Sequence, residues 1–171
     1  MPETESSATK DPSAGMLYPG DSPRLYRAVF NVFPPYLFGG VRVKHIAADW
    51  TSVSVAYRVR PWNRNSPNRA AFGGTLYSMT DPFFAIMAYG QLGRGYRIWN
   101  ITGSIEFLRP GRGTVTATMG LSLDQVAGIR AATATGAKSI TEHRAEIVDA
   151  SGALVARAAQ QLYVRRLPDR P

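Results

Sequence analysis

Residues 73–93 read GGTLYSMTDPFFAIMAYGQLG, the one long apolar segment of the chain. Leu76, Tyr77, Met79, Phe83, Phe84, Ile86, Met87 and Tyr89 point in nearly every direction of a helical wheel. A helix that is apolar on all sides is buried on all sides. Gly73 and Gly74 open the segment and Gly93 and Gly95 close it, which predicts one helix over about residues 74–92. Asp81-Pro82 interrupts the pattern, because proline removes a backbone donor and can kink a helix.

Strand patterns surround this helix. Val41, Val43, His45 and Ala47 fall on one face, which predicts a core histidine at 45. Val53, Val55, Tyr57 and Val59 alternate with polar residues, so the two stretches read as a hairpin with one wet face. Residues 61–71, PWNRNSPNRAA, have no strand period and read as a loop. A strand is expected over 96–109, a turn at Pro110-Gly111-Arg112-Gly113, and a clear strand over 114–123. An Ala/Gly/Thr-rich connection is expected over 124–137. Ala150-Ser151-Gly152 joins strands at 138–149 and 153–166 as a hairpin. In the first of these, His143 between Glu142 and Arg144 reads as a surface residue. Ahead of all this, Ser22-Pro23 starts a short amphipathic helix that Pro34-Pro35 stops. About six strands around one buried helix predict an α+β fold, a curved antiparallel sheet wrapped around that helix.

Composition removes several classes of function. The 171 residues contain no cysteine and two histidines, which excludes disulfide scaffolds and thiolate metal sites, and no metal is expected. No run of 18 apolar residues exists, so no membrane span is expected. Residues 1–21 are polar, carry no secretion-signal pattern and read as a mobile tail ahead of a domain at 22–171; a cytoplasmic protein is expected. Residues 1–22 hold four acidic groups and Lys10, a charge of −3, so the +8 total leaves +11 on the rest. Seventeen of the twenty basic residues are arginine, whose forked guanidinium suits anions. Those arginines are scattered and no nucleic-acid-binding motif is present, so nucleic acid is not the expected partner.

The candidate chemistry lies in the buried helix. Amides at a helix start point outward and attract negative charge, so Gly73 and Gly74 can serve an oxyanion. Asp81 is the one carboxylate in the apolar middle, and burying it without a partner is costly. Ser78 and Tyr77, three and four residues earlier, share its face.

The stretches NRNSPNRAAFGGTLYSMTDPFFAIMAYGQLG and YRIWNITGSIEFLRPGRGTVTA resemble the hotdog-fold thioesterase-like proteins, and among them a family labelled only as a domain of unknown function. That group is similar to the phenylacetate-pathway acyl-CoA thioesterases, whose pattern is Asn, a short loop, His-Gly-Gly and an Asp nine residues after the His. Here Phe72-Gly73-Gly74 occupies the triplet and Asp81 lies nine after Phe72. The resemblance covers about residues 25–166 and implies a hotdog fold, assembled as dimers or dimers of dimers. It implies that Gly73 polarises a thioester carbonyl and that Asp81 acts as general base or nucleophile. Asn65 matches the loop asparagine that assists at the oxyanion, with Asn68 competing because the loop is one residue longer. Asn100 matches a position that orients water. Arg109, Arg112, Arg130 and Lys138 flank the turns where family members place coenzyme A phosphates, so coenzyme A enters as part of the substrate and no separate cofactor is implied. Phe72 departs from the usual His and removes a polar group.

Geometry adds a constraint. Gly73 and Asp81 are eight residues apart, about 12 Å along a helix, whereas base and oxyanion donor must both lie within about 3 Å of the reacting atoms. Two antiparallel copies satisfy this and one chain does not, so a homodimer with shared sites is expected. The sequence thus supports a thioesterase, with a non-catalytic acyl-CoA-binding protein as the alternative that Phe72 admits.

Overall fold

The computed structural model describes residues 22–168, so the expected tail at 1–21 lies outside the described residues. Helix α1 (Pro23–Val32) begins as expected: the Ser22 side chain accepts from the Leu25 N–H at 3.3 Å, and Pro23 occupies a position that needs no donor. Pro34-Pro35 ends α1 but also opens a second helix, α2 (Pro34–Gly39), since proline is tolerated in the first helical turn.

Strands β1 (Val41–Ile46) and β2 (Ser52–Arg58) pair antiparallel. Val43 faces Val55 but His45 faces Ser54, so one residue is extra and the alternation inverts. Ile46 therefore turns inward and His45 is exposed, which corrects the core position expected for it. The loop that follows contains a two-residue hairpin, β3 (Arg64–Asn65) and β4 (Ala70–Ala71).

The apolar segment is two helices rather than one. Helix α3 (Gly73–Ser78) stops before Asp81-Pro82, and α4 (Phe83–Leu92) resumes after it. Pro82 has no N–H, so the Ser78 carbonyl four residues earlier cannot take its helical bond. The Tyr36 hydroxyl donates to that carbonyl instead, at 2.6 Å.

The remaining elements are β5 (Tyr96–Phe107), β6 (Thr114–Gly120), α5 (Leu123–Ala132), β7 (Lys138–Asp149) and β8 (Leu154–Arg166). The sheet order is β1-β2-β6-β7-β8-β5, six strands with every neighbouring pair antiparallel. Helix α4 packs across β2, β5 and β6, and buries Phe83, Phe84, Met87 and Ala88. Helix α5 replaces part of the expected connection. Its signal is Ser122-x-x-Gln125, which forms a reciprocal capping box.

His143 is 5% exposed, which corrects the surface position expected for it. Period-two alternation points its neighbours Glu142 and Arg144 outward, where they pair at 2.8 Å, and turns His143 in to stack on Phe84.

Candidate functional site

Asp81 sits in the turn between α3 and α4, half-buried. Three backbone carbonyls near the break are held by side chains. Tyr36 donates to Ser78, the Thr80 hydroxyl donates to Tyr77 at 2.8 Å, and the Asn100 amide donates to Asp81 at 2.6 Å. Asn100 Nδ2 also lies 3.4 Å from Asp81 Oδ1 and 3.3 Å from Gln160 Oε1. Burial raises the Tyr36 hydroxyl well above the usual phenol range, and the Asp81 charge adds to this, so Tyr36 stays a donor. Tyr77 is raised as well, by burial first, then by the Asp81 charge and by a hydrogen bond with the Asp81 side chain.

Strand β5 sets the spacing of the site. Ile101 is extra between Asn100, which faces Leu162, and Thr102, which faces Gln161. The extra residue shifts the alternation, so Asn100, Gly103, Ile105 and Phe107 share the helix-facing side, opposite Leu162, Gln160, Ala158 and Ala156. Each meets the helix at a different level. Asn100 bonds Asp81. Gly103 lies beneath the Tyr77 hydroxyl, which a Cβ there would meet at 1.7 Å, and the Phe107 ring lies 2.8 Å from where a Gly73 Cβ would stand. Between Asn100 and Phe107 there are six strand steps, about 20 Å. Asp81 and Gly73 of one chain thus contact opposite ends of this stretch of β5.

The Gly73 end is concave. Asn65, Asn68, Ala71, Gly73, Phe107 and Arg109 help to line a cleft of about 410 Å³, from which Asp81 is absent. The short β3–β4 hairpin brings both candidate asparagines to this cleft, and Asn65 Oδ1 is buried with no hydrogen-bond partner among the described residues. Asn100 Oδ1 is in the same condition. Phe72 is 54% exposed, with its ring over Gly74.

The four basic candidates do not form one cluster within a chain. Arg109 and Arg112 follow β5, whereas Lys138 opens β7 opposite Arg165 at the other end of the sheet. Arg130, at the end of α5, donates to the Gln91 carbonyl at 3.0 Å. Among the described residues no group of three or more His, Asp or Glu is placed to hold a metal ion. No helix among them is long and apolar enough to cross a membrane.

Several contributors escape a reading of the sequence. Gln160 is 1% exposed, and its signal is a polar side chain in the inward register of Ala156, Ala158, Leu162 and Val164. Tyr36 and Thr80 give no such signal, because their roles come from the helix break.

By fold the chain is a hotdog protein, a curved antiparallel sheet around a central helix, and it resembles solved structures of that class. The model of the family "Domain of unknown function (DUF4442)" matches residues 22–164, and the chain belongs to that family. A protein of unknown function from Pseudomonas aeruginosa is 16% identical, with a TM-score of 0.73 over 84% of this chain and 95% of that one. A thioesterase from Haemophilus influenzae is 14% identical, with a TM-score of 0.64 over 91% and 99%. The PaaI protein from the phenylacetic acid degradation operon of E. coli is 20% identical, with a TM-score of 0.57 over 85% and 92%. Among curated proteins none matches the chain by sequence.

Proposed function

We propose that the protein hydrolyses an acyl-CoA or related acyl thioester at two sites shared between the subunits of a homodimer. The observation that carries this reading is the division of β5. Asp81 and Asn100 stand at one level of the strand, and Gly73, Asn65 and the cleft stand six steps away. Strand β5 is also an outer strand of the sheet, twelve residues long, with Trp99, Ile101 and Phe107 exposed. A long apolar edge of this kind invites pairing with another strand. If β5 pairs antiparallel with its own copy about Ser104, Gly103 faces Ile105 and Asn100 comes level with Phe107 of the partner subunit. Asp81 then stands beside the partner's Gly73. The same pairing brings Arg109 and Arg112 level with the partner's Lys138, a basic margin suited to coenzyme A phosphates.

In this arrangement the Asp81 carboxylate takes a proton from water as the water oxygen attacks the thioester carbon. The carbonyl oxygen becomes an oxyanion facing the Gly73 amide, with Asn65 or Asn68 assisting. Collapse of the adduct breaks the carbon–sulfur bond. The thiolate leaves, to be protonated by Asp81 or solvent, and a carboxylic acid remains. Attack by Asp81 itself, through an anhydride that water then opens, uses the same geometry. Asn100 and Asp81 activate the nucleophile, and coenzyme A belongs to the substrate.

Phe72 supports a second reading, an acyl-CoA-binding protein without turnover. Its ring covers Gly74 at the position where the resemblance to the phenylacetate-pathway thioesterases implies an imidazole, so one polar group is missing beside the carbonyl. A panel of acyl-CoA thioesters tested with the wild type and Asp81→Asn separates the two. Turnover lost in the variant supports hydrolysis, and tight binding without turnover in either protein supports the second reading.

A further inference from the structure

The hydrogen bonds behind Asp81 form a chain with a fixed direction. Both ends are backbone carbonyls, which only accept. At one end the Thr80 hydroxyl spends its proton on the Tyr77 carbonyl, at 2.8 Å. Thr80 Oγ1 is thereby left as an acceptor, and Gln160 Nε2 donates to it at 3.4 Å. Gln160 must then present Oε1 on its other side, 3.3 Å from Asn100 Nδ2. At the far end Asn100 Nδ2 donates to the Asp81 carbonyl at 2.6 Å, which requires nitrogen at that position independently. Reversing either amide would set two donors or two acceptors against each other. The Asn100 amide hydrogens face the Asp81 carbonyl, the Asp81 carboxylate and Gln160 Oε1, and Asn100 Oδ1 is left buried and without a partner among the described residues. The nitrogen is thereby fixed on the Asp81 side, where it also lies 3.4 Å from the carboxylate Oδ1 and steadies the group that takes the proton from water.

We infer that Gln160 and Thr80 are positioning residues, which lock the Asn100 amide with its nitrogen on Asp81 and so hold the Asp81 turn and carboxylate in place. Gln160 is almost completely buried and Thr80 is fully buried, so both act through Asn100 and not on the substrate. This role rests on the proposed hydrolysis. The orientation lock does not, because it follows from the donors and acceptors alone.

The test uses Thr80→Val, which keeps the shape and removes the hydroxyl, Thr80→Ser, which keeps the hydroxyl, and Gln160→Met, which removes both polar ends. Against the thioester on which the wild type is most active, kcat should fall at least about tenfold in Thr80→Val and Gln160→Met. KM should stay within about twofold, and Thr80→Ser should retain most of kcat. Wild-type kcat in a folded Thr80→Val would overturn the role, as would equal losses in Thr80→Val and Thr80→Ser. A second readout needs no turnover: solvent exchange of the Asn100 side-chain amide protons, followed by NMR with ¹⁵N-asparagine. Exchange should be slow in the wild type and in Thr80→Ser, and at least about tenfold faster in Thr80→Val. Equal exchange in all three would overturn the lock. If the wild type hydrolyses no thioester, the functional reading fails while the exchange measurement still decides the lock. If Gln160→Met does not fold, the Thr80 pair decides.

Discussion

The hydroxyl of Tyr36 completes the helix that Pro82 breaks. It donates at 2.6 Å to the Ser78 carbonyl, the acceptor that an amide at position 82 would otherwise serve. Tyr36 comes from α2, so the short helix opened by Pro34-Pro35 secures the turn that carries Asp81. Tyr36→Phe should destabilise the fold by about 1–3 kcal/mol, the cost of a buried carbonyl left without a donor. The cost should shrink in a Pro82→Ala background, where an amide at 82 can reach Ser78. A double-mutant cycle by urea denaturation checks this. Strictly additive losses would mean that Tyr36 acts through packing alone.

Asp81→Asn should fold and lose turnover. The stronger of the two Asn100 contacts goes to the Asp81 backbone carbonyl, which the substitution leaves in place. Loss of a general base typically costs about 10²–10⁴-fold in rate, so kcat should fall by about that much while acyl-CoA still binds. Thermal unfolding of the variant near the wild-type temperature, with turnover unchanged, would remove Asp81 from the chemistry.

The apolar segment and the curved sheet are legible in the sequence because each rests on a local period, whereas the break of that segment into two helices is signalled by Pro82 alone and α5 by its capping residues. Other exceptions are places where one residue inverts that period. The bulge beside Lys44 sends His45 outward, and the bulge at Ile101 turns Asn100 to the same side as Phe107. Single-residue insertions of this kind leave composition untouched. The charged neighbours Glu142 and Arg144 suggest a surface position for His143, although strict alternation puts it inside. Gln160 is found only by asking why a polar side chain occupies an apolar register. The shared site depends on a second copy, which a single chain announces only through its unpaired apolar edge.

Ser104 should lie opposite itself across the dimer. It is the midpoint of the six steps between Asn100 and Phe107, and a two-fold axis sets the residue at its centre against its own copy. Ser104→Lys then places two ammonium groups face to face, and like charges directly opposite destabilise strand pairs. The dimer dissociation constant should rise at least about tenfold by sedimentation, with thioester hydrolysis falling in step with the dimer fraction. A variant that dimerises at wild-type strength would place the two-fold axis elsewhere.

His143 should make stability fall with acid in a defined window. Its ring stacks on Phe84 with centroids 5.0 Å apart, and its Nε2 lies 2.7 Å from the Thr141 hydroxyl. Among the described residues no carboxylate bonds it, and burial holds the imidazole below its ordinary value of 6.5. The folded protein therefore favours the neutral ring, whereas the unfolded chain binds a proton once the pH drops to about 6.5. Above pH 7.5 this group adds no pH dependence. As the pH falls below about 6.5 the unfolded state gains protons first, and stability declines by up to about 1.4 kcal/mol per pH unit until the folded ring also titrates. His143→Gln keeps a polar group near Thr141 and removes the titration. Its stability should lie below that of the wild type at pH 7.5, and the difference should narrow by pH 5. Denaturant unfolding of both proteins across that range checks the sign. Parallel curves would show that His143 is protonated equally in both states.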